Sequence, residues 1–409
     1  MKIVTISLLI ALASFKMYAG GFQINEHGAK AMGMGGAFTA IANDPSALYF
    51  NGAGMMQFYG TQIMFGTALI SPFSSFRGVA PKIDEYKTAS EVFYPSHFFA
   101  THRLNEDWSV GLGFSSPFGL GTKWDENWPG RYLALETSVQ VFAIPVVVAY
   151  KPLDNLFVSA SFVYSFANVK ITRKNPQTPF EGDAFVSLEG KDNSAFGYHL
   201  SAMYKPLKEL TIGASFHSQI EYNFEGTAKS TGAEQLAARL PGGDIKADLT
   251  TPMNLAVGVA YDFMPNLKVA LDFQYIGWSS YDTLAVEFVQ SGVRSASTRL
   301  YDDTYIVRLG AEYGITEDLN VLGGIYFDNS PVANERINPS LPETDRIGMS
   351  IGLDYKLTKS LGLDASYLFI RGNQLTVENS SEYYAGTSPF NGTWNAGAHV
   401  FSLSLSYSF

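Results

Sequence analysis

Six histidines carry most of the capacity of this chain for acid–base or metal chemistry, and their arrangement supports neither. They are His27, His97, His102, His199, His217 and His399. As a set they lack the spacing of a zinc site, and the chain has no cysteine that could complete one. A hydrolase would need a Ser–His or Asp–His constellation, and none can be nominated from the spacing. We therefore expect no enzymatic activity, no metal site and no cofactor.

A glycine-rich run is the second candidate for chemistry. The residues Gly33-Met-Gly-Gly36 look like a phosphate-binding loop, but no strand-like segment precedes them and no Lys-Ser or Lys-Thr follows. Nucleotide binding is therefore not expected. The net charge of −10 also argues against nucleic acid as a partner.

The clearest structural pattern lies at the C-terminus. The apolar residues there alternate with four serines; the apolar residues are Phe401, Leu403, Leu405, Tyr407 and Phe409. Because successive side chains of a strand point to opposite faces, one face is apolar and the other small and polar. The same alternation recurs through the chain, which is only 16% charged, against about 25% in ordinary soluble proteins. This pattern favours an outer-membrane β-barrel whose terminal Phe409 is read by the barrel-assembly machinery.

Membrane helices are not an alternative way to cross the bilayer. No stretch beyond the N-terminus approaches the roughly 20 apolar residues that a spanning helix needs. Any spanning must therefore be done by strands.

Short polar turns recur about every fifty residues, and each is flanked by alternating segments. They lie at residues 103–107, 151–155, 205–209, 262–266, 314–318 and 356–360. Short turns at one rim and long loops at the other are typical of bacterial barrels, with the short turns in the periplasm. Six hairpins, one strand near residues 58–70 and a terminal strand near 395–409 predict fourteen antiparallel strands.

The N-terminal residues divide into two predicted segments. Residues 1–19 have the basic start, short apolar core and small final residue of a signal peptide, and the apolar run is too short to favour an uncleaved anchor. Residues 20–56 are rich in Ala, Gly and Met and do not alternate, so we expect a helical hatch that plugs the barrel formed by residues 57–409. Many inward-facing glycines in the predicted strands agree with a filled lumen.

Several motifs resemble one known family in order along the chain. Three belong to the predicted hatch: Ala19-Gly-Gly-Phe-Gln-Ile-Asn-Glu26, Ala31-Met-Gly-Met-Gly-Gly-Ala-Phe38 and Asn43-Asp-Pro-Ser-Ala-Leu-Tyr-Phe-Asn-Gly-Ala-Gly54. Others follow: Ser116-Pro-Phe-Gly-Leu-Gly-Thr122, Trp128-Pro-Gly-Arg-Tyr132, Gly277-Trp-Ser-Ser-Tyr281, Tyr326-Phe-Asp-Asn-Ser-Pro331 and Pro342-Glu-Thr-Asp-Arg346. They are similar to the FadL/TodX family of outer-membrane transporters for long-chain fatty acids and aromatic hydrocarbons.

The resemblance implies a fourteen-stranded barrel blocked by a hatch, with gating residues Phe22, Gly33, Gly35, Gly36, Asn51, Gly52 and Ala53. The family usually has Asn-Pro-Ala in the hatch, and the glycine at position 52 predicts a looser backbone here. The resemblance also implies a lateral exit at a kink of the third strand, which corresponds to Ser116, Pro117, Phe118 and Gly119. The alternative is that Pro117 merely ends that strand and starts a loop.

Two predicted outer loops, at about residues 174–190 and 226–249, match those that form the capture groove of the family. Their apolar residues are Phe180, Phe185, Leu236 and Leu240, and residues 233–240 could form a short amphipathic helix. The alternative is that these loops simply cap the barrel.

Two arginines are candidates for binding a ligand carboxylate. Alternation turns Arg173 and Arg308 toward the lumen, and Arg173 is similar in position to an arginine that family members direct at the ligand head group. The alternative is that these arginines pair with inward-facing carboxylates, because a buried charge needs a partner.

Together these patterns predict passive, hatch-gated uptake of hydrophobic molecules, most readily long-chain fatty acids, across the bacterial outer membrane. An aromatic hydrocarbon channel of the same family and a structural or adhesive barrel are the alternatives, whereas an open porin would carry more lumenal charge and no hatch. Expected partners are hydrophobic small molecules, membrane lipid and lipopolysaccharide, and the barrel is expected to work as a monomer.

Overall fold

The structure is a computed structural model that describes residues 21–177, 180–234, 240–384 and 387–409. The predicted signal peptide lies outside the described residues, as does Leu236. No helix in the described part of the chain is long and apolar enough to cross a membrane.

Fourteen antiparallel strands form one closed sheet in the described ranges. They are β1 (Thr61–Gly78), β2 (Ser96–Arg103), β3 (Trp108–Lys123), β4 (Glu136–Leu153), β5 (Leu156–Pro176), β6 (Asp183–Tyr204), β7 (Leu210–His217 and Ile220–Thr231), β8 (Gly243–Thr251 and Asn254–Met264), β9 (Leu267–Ile276 and Thr283–Phe288), β10 (Val293–Thr298 and Thr304–Gly314), β11 (Leu319–Asp328), β12 (Arg346–Lys356), β13 (Leu361–Gly372) and β14 (Gly392–Ser408). The barrel closes where β14 pairs with β1, from Gln62 opposite Ser408 to Gly78 opposite Gly392. The predicted fourteen-stranded barrel is confirmed.

Alternation along the strands separates a lipid-facing wall from a lumen. On β14, Phe401 is 57% exposed while its neighbour Ser402 is 5% exposed. The apolar side chains are exposed because lipid, rather than protein, is their solvent, and the small polar ones are covered by what fills the barrel.

Residues 21–57, which we call the plug, lie inside the barrel. They contain α1 (Ala29–Gly33), α2 (Ala47–Phe50) and a 3-10 helix (Gly52–Gln57). Helices this short are not stable in isolation, so buried hydrogen bonds and ion pairs to the wall stabilise the plug. The carboxylate of Asp272 on β9 accepts the backbone N–H groups of Phe38 and Thr39 at 2.9 and 2.8 Å.

Ion pairs and further side-chain hydrogen bonds also join the plug to the wall. Lys30 of α1 lies 3.2 Å from Glu312 of β10 and 2.8 Å from Asp354 of β12. The Asn51 side chain donates to the carbonyls of Thr39 and Ala202 at 2.8 and 3.0 Å and accepts the N–H of Ala53 at 3.2 Å. The plug is therefore attached to the wall on opposite sides of the barrel.

The outer end of the barrel is covered by loops. An aromatic cluster of Phe76, Trp124, Trp128, Phe390 and Trp394 packs where β1, β3 and β14 reach this end, and Trp124 stacks on Trp128 at 4.1 Å between ring centroids. Short elements complete the loops: strands Glu85–Lys87, Leu375–Val377, Tyr383–Tyr384 and Ser388–Pro389, and 3-10 helices Trp278–Ser280 and Asn334–Arg336.

Strand lengths differ from the sequence-based expectation in two places. The predicted loops at 174–190 and 226–249 are mostly strand, because β5 pairs with β6 out to Pro176 opposite Asp183, and β7 pairs with β8 out to Ala228 opposite Gly243. The alternative that Pro117 ends the third strand is wrong, since β3 continues to Lys123. Both differences arise because a neighbouring strand keeps pairing past these residues: β6 along β5, β8 along β7 and β4 along β3.

Candidate functional site

A cavity of about 880 Å³ lies between the plug and the wall. Its apolar part is lined by Phe22 and Ile24 of the plug and by wall residues that include Val141, Ile306 and Val400. This volume falls within the range of small-molecule sites, about 300–1,000 Å³.

The wall beside this cavity is incomplete between β2 and β3. The two strands pair only from Arg103 opposite Ser109 up to Phe98 opposite Phe114. Beyond that point β3 carries a bulge. Ser115 pairs with Ala143 of β4 and Phe118 with Val141, so β3 has one more residue in this interval than β4 has. The bulge holds Ser116 and Pro117, so the proline is accommodated where ladder pairing is interrupted.

The start of the plug pairs with β3 where β2 no longer does. The Ile24 N–H donates to the Pro117 carbonyl at 2.9 Å, and the Gly119 N–H donates to the Phe22 carbonyl at 3.0 Å. The plug therefore acts as a short substitute strand and satisfies backbone groups that the gap leaves open.

Aromatic rings fix this substitute strand in place. The Phe22 ring lies 5.9 Å from that of Phe118, 4.9 Å from that of Trp278 and 6.0 Å from that of Tyr281. Phe22 is buried, yet it still lines the cavity. Phe22 therefore lies where the cavity borders the gap.

Two aromatic residues of the lipid-facing side of the wall belong to the lining of the cavity beside the gap. Phe114 and Phe142 line it, and they follow the same alternation as the exposed Leu112 and Val146. The Phe114 and Phe142 rings stack at 5.8 Å. Lumenal residues and the lipid-facing Phe114 and Phe142 therefore line the same cavity at the gap between β2 and β3, and we call this gap the seam.

Charged groups gather at the polar end of the cavity. Arg346 donates through Nε to Asp328 at 2.7 Å and through Nη1 to Glu343 at 3.0 Å. Burial raises the pKa of Glu343 to about 8, with Asp328 adding to the rise and Arg346 opposing it. Burial also raises the pKa of Glu26, against the lowering effect of Arg346 and Arg308.

The two predicted arginines have different surroundings. Arg308 is 5% exposed and lines the cavity. It lies opposite Asp272 in the pairing of β9 with β10. No ion pair among the described residues includes Arg308. Arg173, near the outer end of β5, does not line the cavity. Phe180, Phe185 and Leu240 do not line it either, so their role in ligand capture stays a prediction.

The predicted gating residues are packed against the wall. A Cβ on Gly52 would stand 2.7 Å from Oγ of Ser159 and 2.9 Å from Cγ1 of Val147, so the wall leaves room for hydrogen only. This correction replaces the expectation of a loose backbone at position 52. Gly36 has φ +77° and lies against the Arg308 side chain.

The remaining gating residues show the same close fit. A Cβ on Gly33 would stand 2.9 Å from Leu322, and one on Gly35 would stand 3.0 Å from the Ile325 backbone. Ala53 is fully buried, and its N–H also donates to Oγ of Ser201 at 3.1 Å. Their part in gating stays a prediction.

A histidine of the plug lies near β2, one of the two strands that border the seam. The His27 ring is fully buried, 4.1 Å from the Tyr49 ring and 6.0 Å from the His97 ring of β2. Burial lowers the pKa of His27 well below its usual range, and His97 adds to this. The buried His27 ring is therefore neutral.

Sequence reasoning assigned no role to the acidic side of the cavity. Glu343 and Arg346 belong to the quoted motif Pro342-Glu-Thr-Asp-Arg346, but only the fold brings them beside Asp328 and Glu26. A motif with alternating charges after a long loop was the available signal. Among the described residues, no group of three or more histidines and carboxylates is placed to hold a metal ion.

Comparison with known proteins agrees with this geometry. The sequence profile described as "Outer membrane protein transport protein (OMPP1/FadL/TodX)" matches residues 10–409. The chain belongs to this family. Members of the family are outer-membrane transporters for fatty acids and aromatic hydrocarbons, and the chain is a protein of the bacterial outer membrane.

Individual members resemble the chain at low identity over nearly its whole length. The long-chain fatty acid transport protein of Salmonella typhi is 22% identical and covers 99% of this chain and 98% of its own length. The crystal structure of a Pseudomonas aeruginosa FadL homologue superposes with a TM-score of 0.87 at 20% identity, covering 95% of this chain and 100% of that one. The Pseudomonas putida toluene transporter TodX gives a TM-score of 0.78 at 17% identity, covering 93% and 98%.

Proposed function

We propose that this protein takes up hydrophobic compounds passively across the outer membrane, with long-chain fatty acids as the predicted substrates. The ligand enters the cavity beneath the outer loops, displaces the Phe22 region of the plug and leaves through the seam into the bilayer. The observation that carries the proposal is the single cavity that reaches both the lumenal Arg308 and the lipid-facing Phe114.

Physical chemistry gives a reason for a lateral exit. An apolar molecule gains nothing from crossing a water-filled pore, whereas transfer from a dry cavity to acyl chains keeps its apolar surface out of water. The plug substitutes for β2 beside the gap, so moving it would enlarge the seam without breaking the barrel itself.

Deleting Ser116 tests the exit. The deletion removes the extra residue of the bulge, so β3 should straighten and close the seam. We expect uptake of labelled oleate and toluene to fall to background in cells that lack their own transporter, while the barrel still assembles. Deleting Ser291, in the exposed outer hairpin between β9 and β10, is the matched control. Undiminished uptake after Ser116 deletion would refute the lateral exit.

Arginine variants test the fatty acid assignment. Of the two candidate cations only Arg308 lines the cavity, so Arg308→Gln should weaken oleate binding about 10- to 150-fold, as expected for losing a charge-assisted hydrogen bond of about 1.5–3 kcal/mol. Arg173→Gln should leave it unchanged and serves as the control.

A hydrocarbon substrate is the second candidate. Aromatic Phe22 and Phe118 and aliphatic Val139 and Val141 line much of the cavity, and a relative of the same fold is a toluene transporter. Toluene uptake that is insensitive to Arg308→Gln, together with absent oleate uptake, would favour this candidate over fatty acid transport.

A further inference from the structure

The start of the plug lies beside an acidic side chain at the polar end of the cavity. Gly21, the first described residue, is buried, and it packs so closely against the Trp278 ring that an added Cβ would collide with it. The backbone N–H of Gly21 donates to the carboxylate of Glu343. Packing and this hydrogen bond therefore fix the position of the Gly21 nitrogen next to a buried carboxylate.

Carboxylates outnumber cations at this end of the cavity. The carboxylates in its lining are Glu26, Asp328 and Glu343, and the cations are Arg308 and Arg346. Arg346 pairs with both Asp328 and Glu343, at 2.7 and 3.0 Å, so one guanidinium group serves two carboxylates. Asp328 is 1% exposed, and its Oδ1 atom has no hydrogen-bond partner among the described residues. The polar end therefore has an unbalanced negative charge and an acceptor that lacks a donor.

Other charged side chains in the described part of the chain do not balance this charge. The remaining charged residues of the lining form partly exposed ion pairs elsewhere; they are Glu91, Lys123 and Glu136. Arg299 interacts with Tyr281 and Tyr301 and does not line the cavity. Asp345 adds a carboxylate rather than a cation and accepts the Ser330 N–H at 3.3 Å.

We propose that the mature amino terminus is the balancing cation, and that the α-ammonium group of a chain cleaved before Gly20 docks on Asp328 and Glu343. The predicted signal peptide ends at residue 19, so its removal creates a primary ammonium group one residue before Gly21. One Cα step is about 3.8 Å, which keeps this group within reach of the carboxylate that Gly21 already contacts. An ammonium group has three N–H donors, so it can serve both carboxylates.

Docking of the amino terminus stabilises the first residues of the plug beside the seam. Gly21 precedes Phe22, whose carbonyl accepts the Gly119 N–H of β3 at 3.0 Å. A chain that keeps its signal peptide has no ammonium group at this point and leaves the Asp328 charge uncompensated, which is costly for a buried group. Removal of the signal peptide and closure of the plug on β3 are therefore linked. This inference rests on the predicted cleavage site and does not depend on transport.

The pKa of the α-amino group tests the proposal, because pairing and burial shift it in opposite directions. A free α-amino group titrates at about 7.7–8.0. Neighbouring carboxylates raise this pKa, whereas burial without a counter-ion lowers it. The protein would be purified from outer membranes in detergent, and mass spectrometry would identify its first residue. The rate of acetylation of the α-amine would then be measured from about pH 6 to pH 10, in the folded and the denatured chain.

We expect the midpoint of the acetylation profile to lie at least about one pH unit higher in the folded protein than in the denatured chain. Asp328→Asn should move the midpoint back toward that of the denatured chain. Asp262→Asn is the control, because it removes a partly exposed carboxylate that pairs with Lys268, and it should leave the midpoint raised.

An unshifted or lowered midpoint in the folded wild-type protein would overturn the proposal and leave these carboxylates to a cationic ligand. This comparison needs no variant, so it holds even if Asp328→Asn fails to assemble. A raised midpoint that Asp328→Asn does not change would also overturn the proposed docking site. A purified barrel that still carries residues 1–19 would contradict the proposal as well.

Discussion

Replacing Lys30 by methionine should release the plug from the barrel. Lys30 is 7% exposed and its ammonium group faces two wall carboxylates, Glu312 at 3.2 Å and Asp354 at 2.8 Å. Burial alone would lower the pKa of Lys30, but the attraction of Glu312 and Asp354 outweighs it and raises the pKa. The lysine therefore stays charged at every physiological pH.

The expected magnitude follows from what remains after the substitution. Removing one partner of a buried ion pair leaves uncompensated charge and costs about 3–5 kcal/mol. Since about 1.36 kcal/mol corresponds to a factor of ten, the population of undocked plug should rise roughly 150- to 5,000-fold.

Hydrogen exchange of the α1 amides in the purified barrel would measure this population, and conductance across a planar bilayer would show whether the lumen opens. Lys268→Met is the matched control, because its ion pair with Asp262 is 3.6 Å long and substantially exposed, and such pairs contribute little. Equal exchange rates in the two variants would refute the view that Lys30 anchors the plug.

Three further predictions concern the plug. The pKa of the buried His27 is lowered, so below about pH 6.5 an undocked ring binds a proton that the docked ring does not, and docking of the plug should weaken. Amide exchange rates of α1 should therefore rise between pH 7 and pH 5. His27→Phe should make these rates less dependent on pH. Gly52→Ala should destabilise the barrel by about 1–3 kcal/mol through overpacking against Ser159, as a lowered unfolding temperature, and an unchanged temperature would contradict the packing argument. Phe22→Ala should speed amide exchange at Ile24 and Gly119, whose hydrogen bonds the ring holds in place, while amides of β14 keep their protection.

Much of the barrel could be predicted because its pattern is local. Lipid outside and a filled lumen inside impose a period of two on every strand, and hairpin turns need particular residues, so both are visible in short windows of sequence. All six predicted turns join consecutive strands in the structure, and the terminal alternation from Phe401 to Phe409 faces lipid as expected.

The course of β3 and the lengths of some strands depend on which distant segments pair with each other. No pattern within a short window of sequence predicts such pairing. β3 passes through Pro117 because the plug supplies hydrogen-bonding partners from nearly a hundred residues away. The lengths of β5 and β6 follow from mutual pairing beyond the membrane rather than from hydropathy.

The sequence by itself determined the barrel architecture, the outer-membrane location and the family of this protein, because strand alternation, turns and motifs are local features of the sequence. Only the tertiary structure decided that Arg308 rather than Arg173 lines the cavity, that Gly52 is a point of close contact rather than a hinge, and that Glu26, Asp328 and Glu343 share one polar end. Alternation tells which way a side chain points, whereas the space it reaches depends on the plug and on strands far away in the chain.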